Sequence, residues 1–194
     1  MHITITGRLG SGKSTVAKII SAEYGYEIVS TGTALRKIAA DLGMTALEFN
    51  RLMTADPKYD YMIDNESRRI SIERADDKII YDSRMAWNFA VNSFKVYLSV
   101  PTEVAAARIL ADTTRGGVET YKDLDDAVHQ INERMLEENR RYRQIYNVDN
   151  LDLANYDLVI DTTSRDCESV AKMIMEEFAA YSADPAAYGK RVFL

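Results

Sequence analysis

One cysteine, two histidines, one tryptophan and three prolines are all that this chain of 194 residues contains of those four types. The lone Cys167 excludes an intrachain disulfide, and without clustered cysteine and histidine there is no structural-zinc pattern. Neither a G-x-S-x-G elbow nor a Cys–His signature is present, so nothing points to covalent nucleophilic catalysis. No apolar run approaches the roughly 20 residues that a membrane-spanning helix requires. Positive charge is short as well. The 24 Lys and Arg stand against 30 Asp and Glu, a net charge of −6, and that balance provides no broad basic field for polymeric nucleic acid or an anionic membrane. The opening Met1-His2-Ile3-Thr4 lacks the charged-then-apolar layout of a secretory leader, and a cytoplasmic location is expected. Cys167, in an expected C-terminal helix with no histidine nearby, reads as a small, partly buried hydrophobe.

What the chain does have is Gly7-Arg8-Leu9-Gly10-Ser11-Gly12-Lys13-Ser14, a complete G-x-x-x-x-G-K-[ST] phosphate loop. The alternating run His2-Ile3-Thr4-Ile5-Thr6 before it reads as a strand, and Val16-Ala17-Lys18-Ile19-Ile20 after it continues as a helix. A chance glycine-rich turn would not carry both flanks. Inward backbone amides and a helix N-terminus make an anion nest, so Gly7, Leu9, Gly10, Ser11, Gly12, Lys13, Ser14 and Thr15 are expected to cradle a nucleoside triphosphate. Lys13 reaches the β and γ phosphates and the Ser14 hydroxyl is expected on Mg²⁺.

The rest of the chain alternates strand and helix signals. Strands are expected at 26–30, 78–82, 94–100 and 157–161, and helices at 101–110, 124–146 and 166–178. Between the second and third strands, 31–75 carries only helical patterns, over 33–42, 45–54 and 57–74. Thr45-Ala46-Leu47-Glu48 is a capping box there, and Pro57 suits a helix start. Residues 111–121 are polar, centred on Gly116-Gly117, and read as a mobile flap. Alternation of this kind implies a parallel sheet with helices on both faces, within one domain able to bury about 70% of its unfolded surface.

Three further groups stand at the carboxyl edge of that sheet or face it. Ser30-Thr31-Gly32 with Arg36 follows the second strand, where open α/β folds bind ligands; Arg36 either forks onto a phosphate or is solvated behind an ordinary N-cap. Asp82-Ser83-Arg84 ends the third strand, where Asp82 can hold Mg²⁺ beside Ser14 and Arg84 points into the same crevice. Trp87 beyond it lines the site or joins the core. Arg134, Glu138 and Arg141, spaced i, i+4, i+7, share one helical face that suits a nucleoside monophosphate or is a salt-bridged solvated face. Arg108 and Arg115, at and within the flap, are candidates to close positive charge over a transferring phosphoryl group.

The order of these motifs resembles the nucleoside monophosphate kinases, and more closely the short, archaeal type of cytidylate kinase. The likeness runs from Met1 to about Phe178, through the phosphate loop, Leu47-Glu48-Phe49-Asn50, Asp56-Pro57 with Asp60 and Asp64, Asp82-Ser83-Arg84-Met85-Ala86, Arg134 to Tyr142, Tyr146, Asp149 and Tyr156 to Thr162. It implies a phosphate-loop kinase fold with a five-stranded parallel sheet in a single domain, 1–178. Its parts would be a core (1–30, 76–110, 147–178), a monophosphate-binding insertion (31–75), and a lid with its helix (111–146). It also implies that Arg134, Glu138 and Arg141 hold the monophosphate and its ribose. Departures are Asp82-Ser83-Arg84-Met85 where the family usually reads Glu-Gly-Arg-Leu, Met135 in place of an acid, a flap longer around 113–120, and a tail, 179–194, without counterpart.

The resulting expectation is an ATP- and Mg²⁺-dependent phosphotransferase acting on CMP or dCMP, monomeric or weakly self-associating. Lys13, Arg108, Arg115, Arg134 and Arg141 would act on the phosphates. Ser14 and Asp82 would hold the metal, and Ser30, Thr31, Gly32, Arg36, Arg84 and Glu138 would complete the acceptor site. Another monophosphate or small-metabolite kinase, or a non-catalytic nucleotide sensor, remains open at this point.

Overall fold

A computed structural model describes residues 1–31, 38, 41–44, 52–53, 56–112 and 121–194. The expected helices over 33–42 and 45–54 fall largely outside the described residues. So do Gly32, Arg36, Arg115 and the Gly116-Gly117 centre of the flap.

The strands are β1 (His2–Gly7), β2 (Glu27–Ser30), β3 (Ile79–Asp82), β4 (Ser93–Ser99), β5 (Leu158–Asp161) and β6 (Arg191–Phe193). They form one sheet in the order β2-β3-β1-β4-β5-β6, and every pairing is parallel. The helices are α1 (Lys13–Tyr24), α2 (Lys58–Glu73), α3 (Ala86–Phe89), α4 (Thr102–Ala111), α5 (Leu124–Tyr146) and α6 (Cys167–Ala183). None among the described residues is long and apolar enough to cross a membrane.

The chain's layout follows from burial. All six residues of β1 are buried, as a central parallel strand covered on both faces must be. On one face Ile3, Ile5, Val16, Ile20, Leu98 and Ile174 belong to the main core shared by the sheet, α1 and α6. The other face holds smaller clusters, one of Ile79, Tyr81 and Ala86 and one of Trp87, Tyr97 and Tyr156. Helix ends sit where the sequence supplies caps. Asp123 and Asp166 accept hydrogen bonds from Asp126 N and Ser169 N at the starts of α5 and α6, and Asn147 takes the left-handed conformation that ends α5.

Six strands replace the expected five, and the tail is ordered. Helix α6 runs on to Ala183, and β6 pairs with β5 in the register Leu158↔Arg191. Tyr181 and Tyr188 from this segment pack on Phe94, whose ring lies 4.9 and 5.7 Å from theirs. Three residues without an alternating pattern carry no strand signal. What recruits them is the open edge of β5 and an aromatic patch on α6.

Candidate active site

The phosphate loop turns where β1 ends, and its glycines are demanded by contact as well as conformation. At Gly7 (φ 147°) a Cβ would lie 2.2 Å from the Leu98 carbonyl oxygen, and at Gly10 (φ 76°) 2.8 Å from that of Ala105. No side chain fits either place. The Lys13 ammonium lies along the loop, donating to the carbonyls of Gly7 (2.9 Å) and Arg8 (2.8 Å). Those are interactions an arriving phosphate would exchange.

Strand order brings β3 against β1, so Asp82 arrives beside the start of α1. The Ser14 hydroxyl donates to Asp82 Oδ2 at 2.6 Å. Ser30 is the register partner of Asp82 on β2, and Thr31 follows directly, so both stand at the same carboxyl edge. Ser83 turns inward. Its hydroxyl accepts from the amides of Met85 and Ala86 (both 3.2 Å) and so starts α3.

Arg84 projects across the crevice. It donates through Nη1 to the Gly7 carbonyl (2.6 Å) and pairs through Nε with Glu138 Oε2 (3.1 Å). Glu138 also pairs with Arg134, Nε to Oε1 at 3.1 Å. Burial opposes ionisation of Glu138, but Arg84, Arg134 and Arg141 together outweigh it and hold the carboxyl below its ordinary pKa. Gly7, Arg84, Tyr97, Arg134, Met135 and Glu138 are among the walls of one pocket. Helical spacing had put Arg134, Glu138 and Arg141 on one face, and the fold adds Arg84 to them.

Arg141 turns toward α2, where its Nη2 lies 3.3 Å from Asp60 Oδ1. One turn along, Tyr146 donates its hydroxyl to Asp64 Oδ2 at 2.7 Å. Both aspartates are buried. Burial raises the Asp60 carboxyl, with Arg141 opposing and Glu138 adding to the rise. Burial likewise lifts Asp64 to about 7, against the hydrogen bond from Tyr146. Neither aspartate was assigned a role from sequence. The available signal was two carboxylates at i, i+4 on the face of α2 that also carries Ile63 and Ser67, a face the fold buries.

Arg108 lines a different cleft, together with Ser11, Gly12, Thr15, Thr162, Arg165 and Cys167. Its guanidinium donates to the carbonyls of Thr162 (2.6 Å), Thr163 (3.2 Å) and Gly10 (3.4 Å). It therefore ties α4 both to the phosphate loop at Gly10 and to the loop after β5, in a cleft apart from that of Arg84 and Arg134. Cys167 is half-buried there, its thiol pKa raised by burial, and packs against the main core. Trp87 belongs to the core, with Nε1 donating to Asn150 Oδ1 at 2.7 Å.

A phosphate loop that follows a central parallel strand and leads into a helix, with an acidic residue on the neighbouring strand, defines a phosphate-loop kinase fold. Solved structures share it at low identity. An uncharacterized protein from Eubacterium ventriosum superposes with a TM-score of 0.66 at 16% identity, covering 93% of this chain and 99% of that one. Shikimate kinase from Bacteroides thetaiotaomicron gives 0.63 at 15%, covering 92% and 98%. Residues 2–164 match the model of the cytidylate kinase-like family, and the chain belongs to that family. Cytidylate kinase of Methanocella arvoryzae is 34% identical over 176 residues, 91% of this chain and 95% of that protein. That of Methanothermobacter thermautotrophicus is 37% identical over 169 residues, 87% and 99%.

Proposed function

We propose that the protein transfers the terminal phosphoryl group of ATP to cytidine monophosphate or its deoxy form. The observation that carries this reading is Arg84, which touches the donor loop at Gly7 and the α5 carboxylate Glu138 at once. A nucleotide sensor needs the loop but no cationic clamp on its far side.

On the donor side, Lys13 and the loop amides meet the phosphates. The Ser14 hydroxyl and the Asp82 carboxylate, 2.6 Å apart, are hard oxygen donors, and one or two such groups beside substrate phosphates suit Mg²⁺. When bound, Mg²⁺ neutralises charge on the phosphates during transfer. On the acceptor side, Arg84, Arg134 and Arg141 draw in the monophosphate, and Glu138 accepts from a ribose hydroxyl. Arg36 joins the acceptor set, and Arg108 and Arg115 the donor set, on the strength of their sequence positions. The acceptor needs no general base. A phosphomonoester with a second pKa of about 6 already presents an anionic oxygen at neutral pH, so the chain's task is alignment and charge stabilisation.

The test is ATP turnover with a panel of nucleoside monophosphates. ADP should form rapidly only when a monophosphate is present, with CMP or dCMP best. A clear preference for AMP would defeat the cytidylate reading, and ADP formation indifferent to any monophosphate would defeat the kinase reading.

A further inference from the structure

Arg141 and Asp60 form an ion pair that is half made. Arg141 Nη2 lies 3.3 Å from Asp60 Oδ1, while the next atom on each side, Arg141 Nε and Asp60 Oδ2, is buried with no hydrogen-bond partner among the described residues. These four atoms are the ones a side-on guanidinium–carboxylate fork uses. An unpaired buried oxygen and an unpaired buried N–H are both unfavourable, so the pair stands short of its best geometry.

The two partners differ in exposure. The Asp60 side chain is 4% exposed and that of Arg141 19%, so the carboxylate is the more deeply withdrawn of the two. Glu138, one turn earlier on α5, is already engaged by Arg84 and Arg134. A guanidinium has two fork edges, Nε/Nη2 and Nη1/Nη2. Anchoring the first on a carboxylate fixes the direction of the second and spares the rotamer entropy that a free arginine loses on binding an anion.

We propose that Asp60 is a positioning residue for the acceptor site: it completes the fork with Nε and Nη2 of Arg141 when the acceptor binds, and so aims the remaining guanidinium edge at the acceptor's phosphate. The inference rests on the acceptor reading above. Charge alone gives the opposite sign. If Asp60 merely neutralised Arg141, removing its negative charge would strengthen phosphate binding; if it positions Arg141, removal weakens binding.

Asp60→Asn keeps the shape and leaves the Tyr146–Asp64 and Tyr61–Ile145 hydrogen bonds between α2 and α5 in place. It should raise KM for CMP about tenfold, with KM for ATP changed less than about twofold, and Asp60→Glu should recover part of the loss. By NMR, the Arg141 Nε–H resonance of the wild type should move downfield on adding CMP and stay put in Asp60→Asn. An unchanged or lowered KM for CMP would overturn the proposal, as would a joint rise in both KM values with a fall in Tm. Should Asp60→Asn not fold, a wild-type Nε–H signal that ignores CMP overturns it equally. A wild type without monophosphate-dependent turnover overturns this inference and the proposed function together, whereas an active wild type with an unaffected Asp60→Asn overturns this inference alone.

Discussion

Arg84 and Glu138 meet at 3.1 Å, and the same guanidinium reaches the Gly7 carbonyl at 2.6 Å. The end of β3, the middle of α5 and the phosphate loop are thereby joined through one side chain. Because the Glu138 carboxylate is largely withdrawn from water, its ionisation depends on the cations around it.

Replacing Arg84 with Met therefore has a definite sign. Arg84 is the first of the charges that outweigh burial at Glu138, so the Glu138 pKa should rise in the variant. A carboxyl held below its unfolded value contributes stability that is present above the unfolded pKa and lost as pH falls through the folded one. The stability advantage of wild type over Arg84→Met should accordingly be largest at neutral pH and shrink toward acid. Carbon-detected NMR titration of Glu138 reads the shift directly, and an unmoved titration would mean that Arg134 and Arg141 suffice.

Lys13→Ala separates the loop's structure from its chemistry. The ammonium gives up two hydrogen bonds to loop carbonyls, worth about 1 kcal/mol each, so the variant should fold with a modestly lowered Tm. Turnover should fall by roughly 10²–10³-fold through lost charge stabilisation. A well-folded variant with near-normal turnover would remove the loop from the donor role.

The contrast between these residues explains how much could be read from the sequence. The phosphate loop is legible because strand, turn and helix are contiguous and each obeys a local rule. Arg134, Glu138 and Arg141 are legible as a set because helical spacing alone puts them on one face. Arg84 already stood in the expected acceptor set, but its pairing with Glu138, like that of Asp60 with Arg141, comes from sheet order and the meeting of α2 with α5, which no local pattern encodes. Arg108, read from sequence as standing at the flap's entry, donates to the Gly10 carbonyl of the phosphate loop and to the carbonyls after β5, contacts that its helical position alone does not encode. The missed β6 is the same lesson in backbone form, since a short edge strand is specified by its neighbour.

Glu138→Ala tests what the acceptor helix reads. If the carboxylate accepts from the 2′-hydroxyl, the variant should lose more kcat/KM with CMP than with dCMP, by roughly 1–3 kcal/mol, the usual cost of leaving a buried polar group unpaired. ATP affinity should be nearly unchanged. Equal losses with both acceptors would assign Glu138 to holding Arg84 and Arg134 in place, with no direct contact to the sugar.

Asp64 gives a pH dependence of the opposite sign to that of Glu138. Its carboxyl titrates at about 7 in the folded chain against an ordinary 3.8, because burial disfavours its charge. Between those values the folded state holds a proton that the unfolded state has released, so this group's contribution to stability grows as pH falls from 7 toward 4 and is flat outside that window. Asp64→Asn keeps an oxygen for the Tyr146 hydroxyl and removes the titration. The Tm of wild type minus that of Asp64→Asn should therefore climb as the buffer is taken from pH 8 to pH 4, each pH unit of separation being worth about 1.4 kcal/mol before relaxation and coupling to Asp60 reduce it. A difference that stays level across that range would show that Asp64 is ionised in the folded protein and that α2 tolerates its charge between Tyr146 and Asp60.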